Sequence, residues 1–180
     1  MRPAVFVDRD GVLNAAVVEN GRPHPPPSAA ELELLPGVRE RIAELKGLGF
    51  LVVCVTNQPD VARGTATQAA VDAINERVRA QMQLDELLVC CHDDGDQCDC
   101  RKPRPGLLLQ AAARLGIDLG GSYMVGDRWK DIACGTAAGC TTVFVDYGYD
   151  ESYRGPAPSH VSGTAAGAFD YILSRERKNG

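Results

Sequence analysis

The feature that most constrains the fold of this chain is the segment 50–55 (FLVVCV), in which every residue is apolar. A strand with one face in water would alternate apolar and polar residues, so a continuous apolar strand indicates burial on both faces. Shorter apolar segments at 4–7, 87–89, 123–125 and 142–145 predict four further strands. Strands covered on both faces are typical of parallel sheets whose strands are joined by helices.

The segments between these strands have the apolar spacing of amphipathic helices. Four segments have it: 38–48, 71–82, 107–115 and 132–138. A glycine follows the first, third and fourth, as is common at helix C-termini. Residues 65–68 (TATQ) fit a capping box before the second. The alternation of strands and helices predicts an α/β fold, a Rossmann-like three-layer sandwich with a mainly parallel central sheet.

Three other segments lie outside this alternation. Residues 15–35 contain four prolines and are predicted to be an irregular excursion, too short for a domain of its own. Residues 148–163 also lack a periodic pattern, and 165–177 are predicted as a final helix. A chain of 180 residues has the length of one domain, so we expect residues 1–180 to form a single unit.

Composition and charge restrict the compartment and the binding partners expected for the protein. The N-terminal apolar run is too short for a signal peptide or a membrane span, so we expect a cytoplasmic protein. A net charge of −5 argues against nucleic acid or a membrane surface as the main partner. Seven cysteines in a reducing compartment favour metal ligands or core thiols over disulfides. We also expect a monomer.

Polar residues follow the predicted strands directly. The first strand ends in Asp8, Arg9 and Asp10, the second in Thr56, Asn57 and Gln58, and the fourth in Gly126 and Asp127. The carboxyl ends of parallel strands meet at one edge of a sheet, which is where such folds bind ligands. Two carboxylates this close can divide covalent work, one attacking and the other transferring protons. A solvated acidic turn is the alternative for the first motif taken alone.

The segment 90–100 (CCHDDGDQCDC) has the composition of a metal-binding loop. Cys90 and His92 form one pair of potential metal ligands, and Cys98 and Cys100 form a second pair five residues later. Together they offer three thiolates and one imidazole. This set suits a structural, tetrahedral zinc site with no open position, and Cys91 is left out of it. Unliganded cysteines are one alternative. A calcium loop built on the aspartates is another, but the spacing of an EF-hand is absent.

Four motifs occur in order along residues 4–146, each at a predicted strand end or helix start: DRDGVLN, VTNQ, RKP and GDRWKD. The set resembles the motifs of phosphatases in the haloacid dehalogenase (HAD) superfamily. The resemblance implies a magnesium-dependent phosphatase that forms an aspartyl-phosphate intermediate and has no large cap domain. Pro59 and Asp60 depart from the pattern, because many relatives have Ser-Gly after the second motif.

The resemblance also implies a role for individual residues. Four catalytic residues are expected: Asp8 as the nucleophile, Asp10 as the general acid and base, Thr56 holding the phosphoryl group and Lys102 neutralising it. Magnesium would be bound by the Asp8 carboxylate, the Asp10 carbonyl and Asp127, with Asp131 on or near the metal shell.

The zinc-type loop followed directly by Arg101-Lys102-Pro103 resembles one branch of the superfamily, which contains heptose bisphosphate phosphatases and histidinol phosphatases. In that branch zinc would hold Arg101 and Lys102 over the active centre. A second phosphate on the substrate favours arginines that can grip it. The chain has five near the strand ends: Arg9, Arg63, Arg101, Arg104 and Arg128.

We therefore expect a small phosphorylated sugar as substrate, D-glycero-D-manno-heptose 1,7-bisphosphate cleaved at carbon 7. The residues expected to bind it are Asn57, Gln58, Arg63, Arg101 and Arg128. The five-residue spacer of the loop also resembles histidinol phosphatases, which leaves histidinol phosphate as the alternative substrate. A non-catalytic, zinc-stabilised interaction domain is the third reading, disfavoured because all the motif residues are present.

Overall fold

A computed structural model describes residues 1–179 of the chain. It contains eight strands: β1 (Ala4–Val7), β2 (Val17–Glu19), β3 (Arg22–His24), β4 (Leu51–Asn57), β5 (Glu86–Cys90), β6 (Tyr123–Gly126), β7 (Thr141–Val145) and β8 (His160–Ser162). The helices are α1 (Val38–Gly47), α2 (Gln68–Met82), α3 (Gly106–Leu115), α4 (Trp129–Ala138) and α5 (Ala165–Asn179). Ala29–Glu31 and Asp94–Asp96 form short 3-10 turns.

The central sheet has six strands in the order β5-β4-β1-β6-β7-β8, and every neighbouring pair is parallel. Successive residues of β1 enter different cores, as the pleat of a strand requires. Val5 packs with α1 and α5 on one face, and Phe6 packs with α3 and α4 on the other. The predicted three-layer α/β sandwich is therefore confirmed, and its apolar strands are continuous because both faces are covered.

Three features of the fold differ from the sequence predictions. Residues 15–35 include an antiparallel hairpin of β2 and β3, and residues 148–163 include β8 at the edge of the sheet. Both elements consist of three-residue strands, too short to produce a readable alternation. The capping box at residues 65–68 is wrong, since Thr67 is the N-cap of α2 and accepts a hydrogen bond from the Ala70 amide at 3.2 Å.

Helix and strand boundaries also shift toward the ligand-binding edge. The strand β4 extends through Thr56 and Asn57, whose backbones pair with Val89 and Cys90. The helix α4 begins at Trp129, three residues earlier than predicted, because the Asp131 carboxylate accepts the main-chain N–H of Arg128 at 3.0 Å. These shifts place Thr56 and Asn57 in β4 and Asp131 in α4.

The topology places β1 between β4 and β6 in the middle of the sheet. Residues that follow these three strands therefore meet at the carboxyl edge, while the loop after β5 approaches from one side. Within residues 1–179, none of the helices has the length and apolar content needed to cross a membrane.

Candidate active site and metal-binding loop

Lys102 and Asp8 form the centre of the site. The Lys102 ammonium lies 2.8 Å from Asp8 Oδ1 and 2.6 Å from Asp131 Oδ1, and it donates to the Val55 carbonyl at 2.8 Å. Its three N–H donors thus meet three acceptors, and the residue is only 2% exposed. Burial alone would lower the pKa of Lys102, but the charges of Asp131 and Asp8 outweigh it and raise that pKa. The lysine is therefore a permanent buried cation.

Three carboxylates surround this cation. Oxygen atoms of Asp8, Asp127 and Asp131 lie within 4.8 Å of one another. Burial raises the pKa of Asp8 to about 6, although Lys102 acts to lower it. Burial and the charges of Asp8 and Asp131 raise the pKa of Asp127, and its buried Oδ1 has no hydrogen-bond partner among the described residues. An unpartnered carboxylate oxygen beside two other carboxylates fits the oxygen ligands of magnesium.

Gly11 allows the loop after β1 to pass close to this cluster. Its φ is +83°, and a Cβ at this position would lie 2.0 Å from Asp127 Oδ2. Only glycine combines this left-handed conformation with so close an approach. The left-handed turn at Gly11 therefore brings the backbone of the loop after β1 against the Asp127 carboxylate.

Asp10 is held by a network of side-chain donors. Its two carboxylate oxygens accept hydrogen bonds from Arg9 Nε at 3.1 Å and Nη2 at 3.0 Å. Asn14 Nδ2 and Gln58 Nε2 each donate to Asp10 at 2.9 Å. Arg9 itself is 0% exposed. The sequence expectation that Arg9 is available to a second phosphate is wrong, because its guanidinium faces Asp10 inside the protein.

The residues after β4 serve the site in different ways. Gln58 Nε2 also donates to Thr56 Oγ1 at 2.9 Å, which leaves the Thr56 hydroxyl hydrogen free for another acceptor. Asn57 exchanges two hydrogen bonds of 3.1 Å with the main chain of Lys102. Asn57, predicted to bind substrate, thus uses its amide to fix the loop that carries the lysine.

The four residues predicted to bind zinc lie together at the end of β5. The Cys100 sulfur is 3.2 Å from Cys90 Sγ, 3.4 Å from Cys98 Sγ and 3.3 Å from His92 Nδ1. Cys90 Sγ is 3.7 Å from Cys98 Sγ and 3.5 Å from His92 Nδ1. The neighbouring Cys91 is outside this cluster. Backbone direction explains its exclusion, since successive side chains leave a strand on opposite faces.

The three arginines predicted to bind substrate are each paired with a carboxylate. Arg101 Nε donates to Asp94 Oδ1 at 2.7 Å, and Arg63 binds Asp93 through two hydrogen bonds of 2.9 and 2.7 Å. Arg128 binds Glu151 through two hydrogen bonds of 2.5 Å. The acidic partners were not predicted from the sequence. The two aspartates in the zinc-type loop were visible, but nothing local to the sequence relates them to Arg63.

Sequence analysis also missed Asn75, whose Oδ1 accepts from Arg9 Nη1 at 2.7 Å. The sequence does contain a feature that could have identified Asn75. Asn75 lies four residues after Val71 in α2, on the face that is otherwise apolar, and a polar side chain buried on such a face needs a partner.

Removing the central cation should destabilise the protein. We expect Lys102→Met to lower the free energy of unfolding by about 3–5 kcal/mol, because it leaves buried carboxylates without their counter-charge. Urea denaturation measures the change. Lys130→Met is the matched control, since Lys130 is 29% exposed and 3.9 Å from Asp94, and we expect a change within about 0.5 kcal/mol. Equal stability of the two variants would contradict a structural role for the buried cation.

Comparisons with known proteins agree with this geometry. A model of the HAD-hydrolase-like family matches residues 99–166. The D-glycero-beta-D-manno-heptose-1,7-bisphosphate 7-phosphatase of Escherichia coli K12 is 38% identical over 152 residues, which cover 78% of this chain and 76% of that protein. The enzyme of the same name from Salmonella typhi is 35% identical over 185 aligned positions, covering 96% of this chain and 90% of the relative.

Solved structures extend the similarity to the whole fold. The D,D-heptose 1,7-bisphosphate phosphatase of B. bronchiseptica, complexed with magnesium and phosphate, matches with a TM-score of 0.79 and 30% identity over 96% of this chain and 99% of that one. A HAD-like phosphatase from Mesorhizobium loti matches with a TM-score of 0.80 and 31% identity over 99% of this chain and 88% of that one. The chain belongs to the HAD superfamily phosphatases, in the family of the D-glycero-β-D-manno-heptose-1,7-bisphosphate 7-phosphatases.

Proposed function

We propose that this protein is a magnesium-dependent phosphatase that hydrolyses D-glycero-D-manno-heptose 1,7-bisphosphate at carbon 7 through an aspartyl-phosphate intermediate. The observation that carries the proposal is the group formed by Asp8, Lys102 and Asp127 at the end of the central strand, with Asp10 beside it. It joins a nucleophile, a fixed cation and a separate proton carrier, which phosphoryl transfer requires. The names of the relatives support the choice of substrate.

In the first step, an Asp8 carboxylate oxygen attacks the phosphorus atom in line with the leaving oxygen. The bond from phosphorus to the sugar oxygen breaks, and that oxygen takes a proton from Asp10. Lys102 donates a hydrogen bond to Asp8 Oδ1 and so orients the carboxylate. Thr56 has its hydroxyl hydrogen free to bind a phosphoryl oxygen.

In the second step, the Asp10 carboxylate takes a proton from water as that water attacks the phosphorus of the aspartyl phosphate. The bond from phosphorus to Asp8 breaks, which releases inorganic phosphate and restores the Asp8 carboxylate. Asp10 ends the cycle protonated, ready for the next leaving group. One residue can serve both steps because each requires the opposite proton transfer.

Magnesium would be held by the Asp8 carboxylate, Asp127 and the main-chain carbonyl of Asp10, with Asp131 on or near its shell. The unpartnered Asp127 oxygen supports this assignment. When bound, the ion supplies positive charge that offsets the repulsion between the carboxylates and the phosphoryl oxygens. Asp131 also binds Lys102, so it positions the lysine whether or not it touches the metal.

The sulfur and nitrogen cluster is proposed to hold a structural zinc ion. The three sulfur–sulfur distances, 3.7, 3.4 and 3.2 Å, place the thiols close enough together to bind one metal ion. Three thiolates and one imidazole leave no open position for catalysis. The seven cysteines, all free, suit the reducing cytoplasm. The zinc loop leads directly into Arg101 and Lys102, so its rigidity supports the catalytic lysine.

Histidinol phosphate remains a second candidate substrate because of the acidic residues beside Arg101. The Asp94 side chain is 71% exposed and could pair with a cationic amine. A sugar bisphosphate would instead have to displace Asp94 from Arg101. We favour the bisphosphate, because a second phosphate offers the Arg101 guanidinium a stronger partner than the exposed Asp94 carboxylate does.

The nucleophile and the proton carrier should be separable by mutation. We expect Asp8→Asn to reduce phosphate release to background, because the amide cannot attack phosphorus. We expect Asp10→Asn to lower kcat/KM for a sugar phosphate by about 10²–10⁴-fold, the range for a lost general acid. Phosphate release from heptose bisphosphate measures both. Asp72→Asn on the surface of α2 is the control, and substantial turnover by Asp8→Asn would contradict the covalent route.

Zinc binding should depend on the four ligands and not on their neighbour. We expect wild type and Cys91→Ser to contain one zinc per chain by elemental analysis, and Cys98→Ser to lose it. Since structural zinc binding is coupled to folding, we expect Cys98→Ser to lower Tm by about 5–10 °C, equivalent to about 2–3 kcal/mol. Zinc-free wild type from zinc-supplied cultures would contradict the site.

The pair of Arg101 and Asp94 provides a test of which substrate the enzyme prefers. We expect Arg101→Ala to lower kcat/KM for heptose 1,7-bisphosphate at least about 10-fold. We expect Asp94→Ala to raise it about 2–5-fold, because the exposed Asp94 carboxylate no longer competes with the substrate for Arg101. Asp118→Ala, at the opposite edge of the sheet, is the control. A faster reaction with histidinol phosphate, reduced by Asp94→Ala, would instead identify the second candidate.

A further inference from the structure

Arg9 is the largest fully buried side chain among the described residues, at 0% exposure. Burying a guanidinium is costly unless every N–H group has a partner and the charge is balanced. Here Nε and Nη2 bind the two oxygens of Asp10, and Nη1 binds Asn75 Oδ1 on α2. No Arg9 nitrogen is among the unpartnered buried atoms of the described residues. Among the described residues, Asp10 is the one carboxylate that balances this buried charge.

We propose that Arg9 is the positioning residue for proton transfer by Asp10, and that Asn75 fixes Arg9 from the helix α2. The inference rests on the proposed phosphatase function and adds to it a residue that aims the proton carrier. Arg9 does not touch the substrate. It acts by holding the Asp10 carboxylate in one plane.

The geometry distinguishes Arg9 from the other partners of Asp10. Asn14 donates to one oxygen and Gln58 to the other, so each permits rotation of the carboxylate. Arg9 alone binds both oxygens, and a two-point contact of a planar guanidinium with a planar carboxylate prevents that rotation. The Asp10 side chain is 17% exposed, so it can be approached only through a restricted opening. Orientation of its proton toward that opening then decides whether transfer occurs.

The main chain at Arg9 is equally constrained. Its carbonyl oxygen accepts hydrogen bonds from the amides of Val12, Leu13 and Asn14 at 3.4, 2.9 and 3.2 Å. The turn that carries Asp10 is thus closed onto Arg9, while the side chain of Arg9 is anchored to α2. Because backbone and side chain are both fixed, the position of Asp10 follows from that of Arg9.

The chemistry of the step predicts a selective effect. When Asp8 attacks phosphorus, the bond to the leaving oxygen breaks, that oxygen gains the Asp10 proton, and Asp10 becomes a carboxylate facing Arg9. An alkoxide leaves only if it is protonated, whereas p-nitrophenolate leaves without a proton. A defect in positioning Asp10 should therefore slow the cleavage of alkyl phosphates and spare that of aryl phosphates.

The test compares kcat/KM for heptose 1,7-bisphosphate, or fructose 1,6-bisphosphate as a second alkyl ester, with that for p-nitrophenyl phosphate. This parameter reports the steps up to phosphorylation of Asp8, which excludes the later attack of water. We expect Arg9→Lys to lower kcat/KM about 100-fold for the alkyl esters and less than about 5-fold for the aryl ester. Lysine keeps the charge but cannot bind both oxygens in one plane.

Two further variants extend the test, and the first of them, Asn75→Leu, does not depend on the folding of Arg9→Lys. Asn75→Leu removes the anchor of Arg9, and we expect about a 5–10-fold loss confined to alkyl esters. Arg9→Lys combined with Asp10→Asn should lose no more alkyl activity than Asp10→Asn alone, because both changes disable one proton transfer. Arg41→Lys is the matched control, since it alters another two-point pair, with Asp170, on the surface.

The results distinguish the proposed phosphatase function from the proposed positioning role of Arg9. Wild type that releases no phosphate from any ester overturns the proposed function. Active wild type whose Arg9→Lys and Asn75→Leu variants lose aryl and alkyl activity equally overturns the positioning role and leaves Arg9 as a structural residue. Additive losses in the double variant do the same. Selective and non-additive loss of alkyl activity supports the proposal.

Discussion

The site depends on one buried interaction, the contact of the Lys102 ammonium with Asp8, Asp131 and the Val55 carbonyl. Carboxylates at the centre of an apolar sheet would otherwise be too costly to ionise, which is why burial raises the pKa of Asp8 to about 6. The lysine stabilises the charged form without water. Asp8, the proposed nucleophile, is thereby kept in place by a cation from a loop distant in sequence.

That dependence explains the elaborate support of the loop after β5. Lys102 follows the Cys and His cluster directly, and its main chain is bound on both sides by the Asn57 amide. The same loop is tied to the region after β4 by the pair of Arg63 and Asp93. Misplacement of the lysine by a fraction of an ångström would weaken its contacts with Asp8 and Asp131. The zinc ion proposed for this loop would meet the requirement, because coordination would replace a hydrophobic core that so short a segment cannot form.

Asp8 and Asp10 are separated by one residue yet have opposite environments. Asp8 faces a lysine and two other carboxylates, while Asp10 faces an arginine and two amides. The intervening Arg9 is buried and binds Asp10 and Asn75, and Gly11 then turns the chain past Asp127. Two neighbouring carboxylates can therefore take different chemical roles in one reaction cycle.

The sequence by itself determined the α/β sandwich, the five longer strands of the sheet and the identity of the motif residues, because continuous apolar strands and helical periodicity are local patterns set by burial. It also determined the four-residue Cys and His set, whose ligands are close along the chain. Tertiary structure decided the rest. Whether an arginine is free or paired can depend on a residue far away in sequence: Arg63 on Asp93 and Arg128 on Glu151. Electrostatic pairing acts through space and leaves no periodic trace, so only the folded chain reveals which charges remain for a substrate.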